Sequence, residues 1–184
     1  MKVRMPHTPY IANKIALDLL NSGFVTLNEG LDAVVKVAQE FLVEDVQKEL
    51  SLDERVNEIL EENEDDIEFM QVDRRNMFWL VKKKLAKEYN FTLSREDRYN
   101  DLSHQILEAV WKKSLIEYSV SENRVKNIIY NAIESYLKTF EGLEDIVIEK
   151  LSNYKRKLIP GSAEYDLIFE KLYEEELRKK GMLQ

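Results

Sequence analysis

The 184-residue chain contains no cysteine, only three prolines and five glycines, and no long apolar run. Without thiols there is no disulfide, no thiolate metal site, no iron–sulfur ligation and no thiol nucleophile. That composition suits a reducing compartment, and a cytoplasmic protein is expected. Proline is absent between Pro9 and Pro160, a stretch that a sandwich or barrel with many turns would punctuate, so helices are expected. No window approaches the roughly 20 apolar residues needed to cross a bilayer, and Lys2 and Arg4 are followed by no apolar export segment. The sequence thus predicts neither a membrane span nor a standard export signal. Nucleotide-cradling glycine loops and serine elbows are missing, and the many carboxylates form no recognisable pair. No enzyme, cofactor or metal site is expected.

What the chain does have is apolar material for a core, with 44% hydrophobic and 34% charged residues. The net charge of −8 keeps it soluble and opposes attraction to nucleic acid or anionic lipid. The charge is uneven. Residues 1–92 carry 12 basic and 18 acidic side chains and residues 93–184 carry 15 and 17, so the second half is the better place for an anion-binding face.

Sliding the chain by 91 residues lays it on itself without a gap. Ile11 falls on Leu102, Ile15 on Ile106, Leu19 on Val110, Val25 on Ile116 and Val34 on Val125. Leu52 meets Leu143, Val56 meets Val147, Leu60 meets Leu151 and Phe78 meets Phe169. Few are identities, but the apolar phase survives several loops, which a chance alignment of amphipathic helices would lose. The expected organisation is therefore two helical repeats, 1–92 and 93–184.

Each repeat reads as four helical segments. The first begins at Thr8, read as an N-cap with Pro9 behind it, and stops at Gly23; its partner spans roughly 95–113. Extended pieces follow at 24–27 and 115–120, rich in β-branched and aromatic residues and able to pair. Thr26 with Glu29, and Ser119 with Glu122, have the spacing of capping boxes for the second helices. Those helices carry apolar stripes through Val34, Ala38 and Leu42, and through Ile129, Ile133 and Leu137. Ser51 with Glu54 forms a further box, predicting a separate third helix through Val56 and Leu60, matched by Leu143, Val147 and Leu151. The fourth pair holds Phe78 and Leu85 in one repeat and Phe169 and Leu177 in the other. In the second repeat Pro160 and Gly161 break the chain before Ser162 caps the last helix.

The run from Leu93-Ser94-Arg95-Glu96 through Lys155-Arg156-Lys157-Leu158-Ile159-Pro160-Gly161-Ser162 to Tyr173-Glu174-Glu175-Glu176 and Lys179-Lys180-Gly181 closely resembles an uncharacterised bacterial family, domain of unknown function number five hundred and seven. The resemblance covers residues 93–183. The first half looks like a divergent copy, with Asp73-Arg74-Arg75-Asn76 where the Pro-Gly-Ser turn would stand. The resemblance implies a helical fold and no established activity.

As chemistry, the remaining constellations are sparse. His7 and His104 do not occupy corresponding places, and no second histidine stands at metal-ligand spacing from either; His104, at the margin of an apolar face beside Trp111, reads as a partly exposed aromatic. The acidic run Glu61, Glu62, Glu64, Asp65, Asp66 and Glu68 lacks the alternating ligands and turn glycine of a calcium loop and reads as a solvated helix end. Basic clusters stand at Lys155, Arg156 and Lys157, at Arg178, Lys179 and Lys180, and at Lys82, Lys83, Lys84 and Lys87. The first two could converge with Tyr154 and Tyr165 into a phosphate-binding patch. Helix-end cations that pair with nearby glutamates are the plainer reading. The sequence thus predicts an all-α fold of two tandem four-helix units about an internal pseudo-two-fold, with a short two-stranded pairing between them. It predicts a non-enzymatic interaction or scaffold protein with a protein partner and no membrane. The alternative is a nucleic-acid binder using Lys155, Arg156, Lys157, Tyr165, Arg178, Lys179 and Lys180.

Overall fold

The computed structural model describes residues 2–181. Helices make up 76% of it, joined by one two-stranded sheet, so the fold is mostly all-α. In chain order the elements are α1 (Thr8–Asn21), β1 (Val25–Leu27), α2 (Leu31–Glu62), α3 (Glu64–Phe69), α4 (Arg74–Glu88), α5 (Arg95–Lys112), β2 (Ile116–Tyr118), α6 (Glu122–Ser152) and α7 (Ala163–Lys179).

Several starts follow from local chemistry. Ser94 accepts a hydrogen bond from the Asp97 amide to begin α5, and Ser162 accepts one from the Tyr165 amide at 3.2 Å to begin α7. Asp73 does the same for α4, accepting from the Arg75 amide at 3.0 Å, so the first half supplies a cap where it lacks the Pro-Gly-Ser turn. Thr8 is not an N-cap but the first residue of α1. A 3₁₀ turn over Met5–His7 precedes it, and its hydroxyl donates back to the Met5 carbonyl at 3.0 Å. Gly23 ends α1 with φ +83°, the left-handed conformation expected of it.

Three of the expected capping boxes do not form. Thr26 lies inside β1 and Ser119 just beyond β2, because the ladder holds both segments extended; α2 starts only at Leu31 and α6 at Glu122. Ser51 caps nothing, since α2 runs unbroken through it. Val46, Glu49, Leu52, Val56 and Leu60 are all buried at helical spacing, so no change of phase gives the chain a reason to leave the helix there. The expected second and third helices are accordingly one helix in each half, and the first half adds the short α3.

The extended pieces pair as expected. β1 and β2 are antiparallel, with Val25 opposite Tyr118, Thr26 opposite Glu117 and Leu27 opposite Ile116. Asn28 extends the contact, its amide donating to the Leu115 carbonyl and its side chain to that of Ser114, each at 2.9 Å.

The chain forms two compact units, each drawing on both halves of the sequence. One joins residues up to Gln47 with Leu93–Phe140; the other joins Lys48–Thr92 with the chain from Glu141 onward. The first has a core of Ile11, Ile15 and Leu19 from α1, Val34, Ala38 and Leu42 from α2, Leu102, Ile106 and Val110 from α5, and Ile129, Ile133 and Leu137 from α6. In the second, Leu52, Val56 and Leu60 are buried with Leu85, Leu143, Val147, Leu151, Phe169, Tyr173 and Leu177. The first unit thus draws its buried side chains from helices of both sequence halves.

Candidate interaction surface

The basic residues singled out in the sequence sit around α7. Lys155, Arg156 and Lys157 are exposed in the loop before it, and Arg156 pairs with Glu164 in its first turn. Arg178 and Lys179 end it, with Lys180 at the cap. Arg178 lies 3.9 Å from Glu174, and Lys179 donates to Glu176 at 2.7 Å. Glu176 also accepts from Lys150, and these hydrogen bonds hold its carboxyl below the usual carboxylate range. Glu164 and Lys179 are separated by about 22 Å of helix. The two clusters therefore stand at opposite ends of α7 and do not converge. Tyr165, half-buried in the first turn, has its phenol pushed up by burial, and Tyr154 is exposed near the loop.

The basic run on α4 divides differently. Lys83, Lys84 and Lys87 are exposed, but Lys82 is only 3% exposed. Its ammonium lies 2.9 Å from Glu49 and 2.6 Å from Asp53, both on α2, and within 6 Å of the Phe78 and Trp79 ring centres. Lys82 follows Phe78 by four residues and precedes Leu85 by three, which turns it to the inner side of the helix. A second buried ion pair joins Arg98 of α5 to Asp45 of α2, with two guanidinium nitrogens on the carboxylate at 2.8–3.1 Å.

His7 is fully buried, edge-on to the rings of Tyr136 and Phe140 at 5.4 and 5.6 Å. Burial, and secondarily the charge of Arg4, lowers its pKa to about 4, so it is neutral at pH 7. Tyr136 is pushed up to about 12, chiefly by burial. His104 is exposed on α5.

The outer face of α4 is more unusual. Residues 76, 79, 80, 83, 84 and 87 share one side by helical spacing, and they are Asn76, Trp79, Leu80, Lys83, Lys84 and Lys87. Trp79 is 50% and Leu80 62% exposed. At the turn before the helix Phe69 is 88% exposed and Met70 also points to solvent. That turn closes α3 with two hydrogen bonds, from the Val72 amide to the Ile67 carbonyl and from the Gln71 amide to that of Glu68, with Gln71 at φ +52°. Arg74 lies 3.7 Å from Glu64, bringing the start of α3 to the start of α4. The acidic run of the sequence is split between the end of α2 and α3, all of it exposed. No group of three or more possible metal ligands occurs among the described residues, and none of their helices is long and apolar enough to cross a membrane.

A mostly helical chain of two compact units with exposed apolar side chains is what the geometry describes. It belongs to the family described as protein of unknown function (DUF507), whose model matches residues 1–182. The match is wider than the resemblance carried by residues 93–183 and takes in the first half as well. No curated protein is significantly similar to the chain.

Proposed function

We propose that this chain is a non-enzymatic, cytoplasmic protein-interaction protein, built by duplication of one helical repeat and docking through the outer face of α4. The observation that carries this reading is the exposure of Trp79 and Leu80 on α4, and of Phe69 and Met70 in the chain just before it. A chain of this size has interior enough for such side chains, and clustered exposed aromatics mark contact sites.

The duplication supports the reading by supplying a control within the molecule. Several features recur at an interval of 91. Thr26 and Glu117, 91 apart, face each other at the centre of the ladder, where a two-fold relating the repeats would pass. Gly23 and Ser114 share left-handed backbone, as do Asn90 and Gly181. The contact of His7 with Tyr136 has its counterpart in the ion pair of Arg98 with Asp45, each residue shifted by 91. On this reading α7 shows what the outer face of α4 needs for folding alone. There Glu170, Lys171, Glu174 and Glu175 replace Trp79, Leu80, Lys83 and Lys84. The fold thus has no need of apolar residues at positions 79 and 80, and a partner does.

Nucleic-acid binding has less support, because Arg156, Arg178 and Lys179 each have a glutamate partner and lie in clusters at opposite ends of α7. The test is affinity capture from native cells with wild type and Leu80→Glu. A stoichiometric protein bound by the wild type and lost with the substitution supports docking through α4. Retention of every bound protein by Leu80→Glu, or co-purification of RNA or DNA alone, contradicts it.

A further inference from the structure

We infer that the partner of the α4 face is a different protein, which docks there through a short acidic segment anchored by an apolar side chain. The inference rests on the docking role just proposed for that face and adds the chemistry of its partner. Its warrant is the sign of the charge on the face itself. The side shared by residues 76, 79, 80, 83, 84 and 87 carries three cations and no carboxylate, and the one acidic residue of α4, Glu88, is the last of the helix. Lys83, Lys84 and Lys87 are exposed, and none has an ion-pair partner among the described residues. Their neighbour Lys82 turns inward to Glu49 and Asp53 and takes no part in the face. The positions 91 farther on lack this excess. Glu174, Glu175 and Arg178 stand there in place of the three lysines, with Arg178 3.9 Å from Glu174. A helix of this molecule thus holds its place without an unpaired positive face.

Exposed apolar side chains and unpaired lysines on one side are completed by a surface of opposite sign around an apolar anchor. From Asn76 to Lys87 the face runs about 16 Å along the axis. A partner segment of about three helical turns covers it, with its apolar residue against Trp79 and Leu80 and its carboxylates against the lysines. A neutral partner would strip the lysines of water and return nothing; a carboxylate replaces that water with charge-assisted hydrogen bonds. The charge of the surrounding unit favours a short segment over a larger polyanion. Residues 48–92 and 141–184 together carry 16 basic and 22 acidic side chains. An anionic membrane or a nucleic acid reaches beyond the three lysines onto a unit whose carboxylates outnumber its cations, and is repelled there. A segment of three turns ends within the face.

The test is photo-cross-linking in native cells by the full chain with benzoylphenylalanine in place of Asn76, which is exposed on the same side, followed by mass spectrometry of the adduct. The adduct should map to one segment of a different protein, with carboxylates in excess and a large apolar residue among them; the same label combined with Leu80→Glu should give none. A synthetic peptide of that segment should bind the full chain at least ~tenfold more weakly in high salt than in low. Lys83→Glu with Lys87→Glu should weaken it at least ~tenfold with an unchanged far-ultraviolet dichroism spectrum, and lysines in place of the peptide's carboxylates should restore binding to that variant. A second copy of this chain, a lipid or a nucleic acid in the adduct overturns the inference, as does a peptide indifferent to salt and to the charge reversal. If the mapped protein segment is neutral or basic, the partner assignment alone fails. If no adduct depends on Leu80, the docking role fails with it.

Discussion

His7 sits at the residue scale as a fully buried base, and its neutrality has a measurable consequence. Its folded pKa of about 4 lies below the 6.5 of an exposed histidine. Between those values the unfolded chain binds a proton that the folded chain does not, so stability is complete above pH 6.5 and falls on acidification towards pH 4. From pH 6.5 to 5, above the range in which most carboxylates titrate, this amounts to about 2 kcal/mol. Urea midpoints across that window should decline for wild type and stay nearly level for His7→Phe; parallel slopes would contradict the assignment. Lys82 gives a second contrast. Lys82→Met leaves Glu49 and Asp53 without their shared cation in a buried site and should cost about 3–5 kcal/mol, whereas Arg156→Ala, which breaks an exposed pair, should cost less than about 1 kcal/mol. Chemical denaturation of the two variants decides it, and equal losses would contradict the burial of Lys82. The sequence does not announce these roles. Lys82 reads as one of four lysines in a basic run, and only the inward setting of Phe78 and Leu85 on either side betrays it. His7 lies in a terminal segment with no periodic pattern, so nothing local marks it as core.

Helices and strands were far more legible at the scale of elements, because they depend on patterns that local spacing records. The apolar stripes place α1, α5 and α7, and the β-branched runs place β1 and β2. Capping was where spacing misled: a hydroxyl three residues before a carboxylate occurs inside helices and strands as readily as at their starts. At Ser51 the two readings make opposite predictions. As an N-cap it would lose about 1 kcal/mol on Ser51→Ala. As an exposed residue inside α2 it should be neutral or gain about 0.5 kcal/mol, because alanine is the better helix former; a loss near 1 kcal/mol would contradict the continuous helix. The left-handed Ser114 at the end of α5 offers a related test. Ser114→Gly relieves a strained backbone and should stabilise by about 1 kcal/mol, read as a rise of several degrees in Tm.

The whole molecule is where the sequence reading and the structure part most. The apolar stripes are written in the sequence, but which segments close a core together is not, since similar stripes serve equally well within one sequence half or between the halves. The structure pairs β1 with β2 and assembles each compact unit from both halves. Residues 93–184 alone would keep the inner faces of α5 and α6 without those of α1 and α2, exposing Leu102, Ile106, Val110, Ile129 and Ile133 to water at about 1.5–3 kcal/mol apiece. The most direct measurement is therefore the thermal melt of residues 93–184, expressed alone and followed by circular dichroism over a range of concentration, then repeated with residues 1–92 added. The account predicts no cooperative, concentration-independent transition for the fragment and recovery of one on mixing. A sharp melt of the isolated monomeric fragment, indifferent to concentration and to the other half, would contradict it.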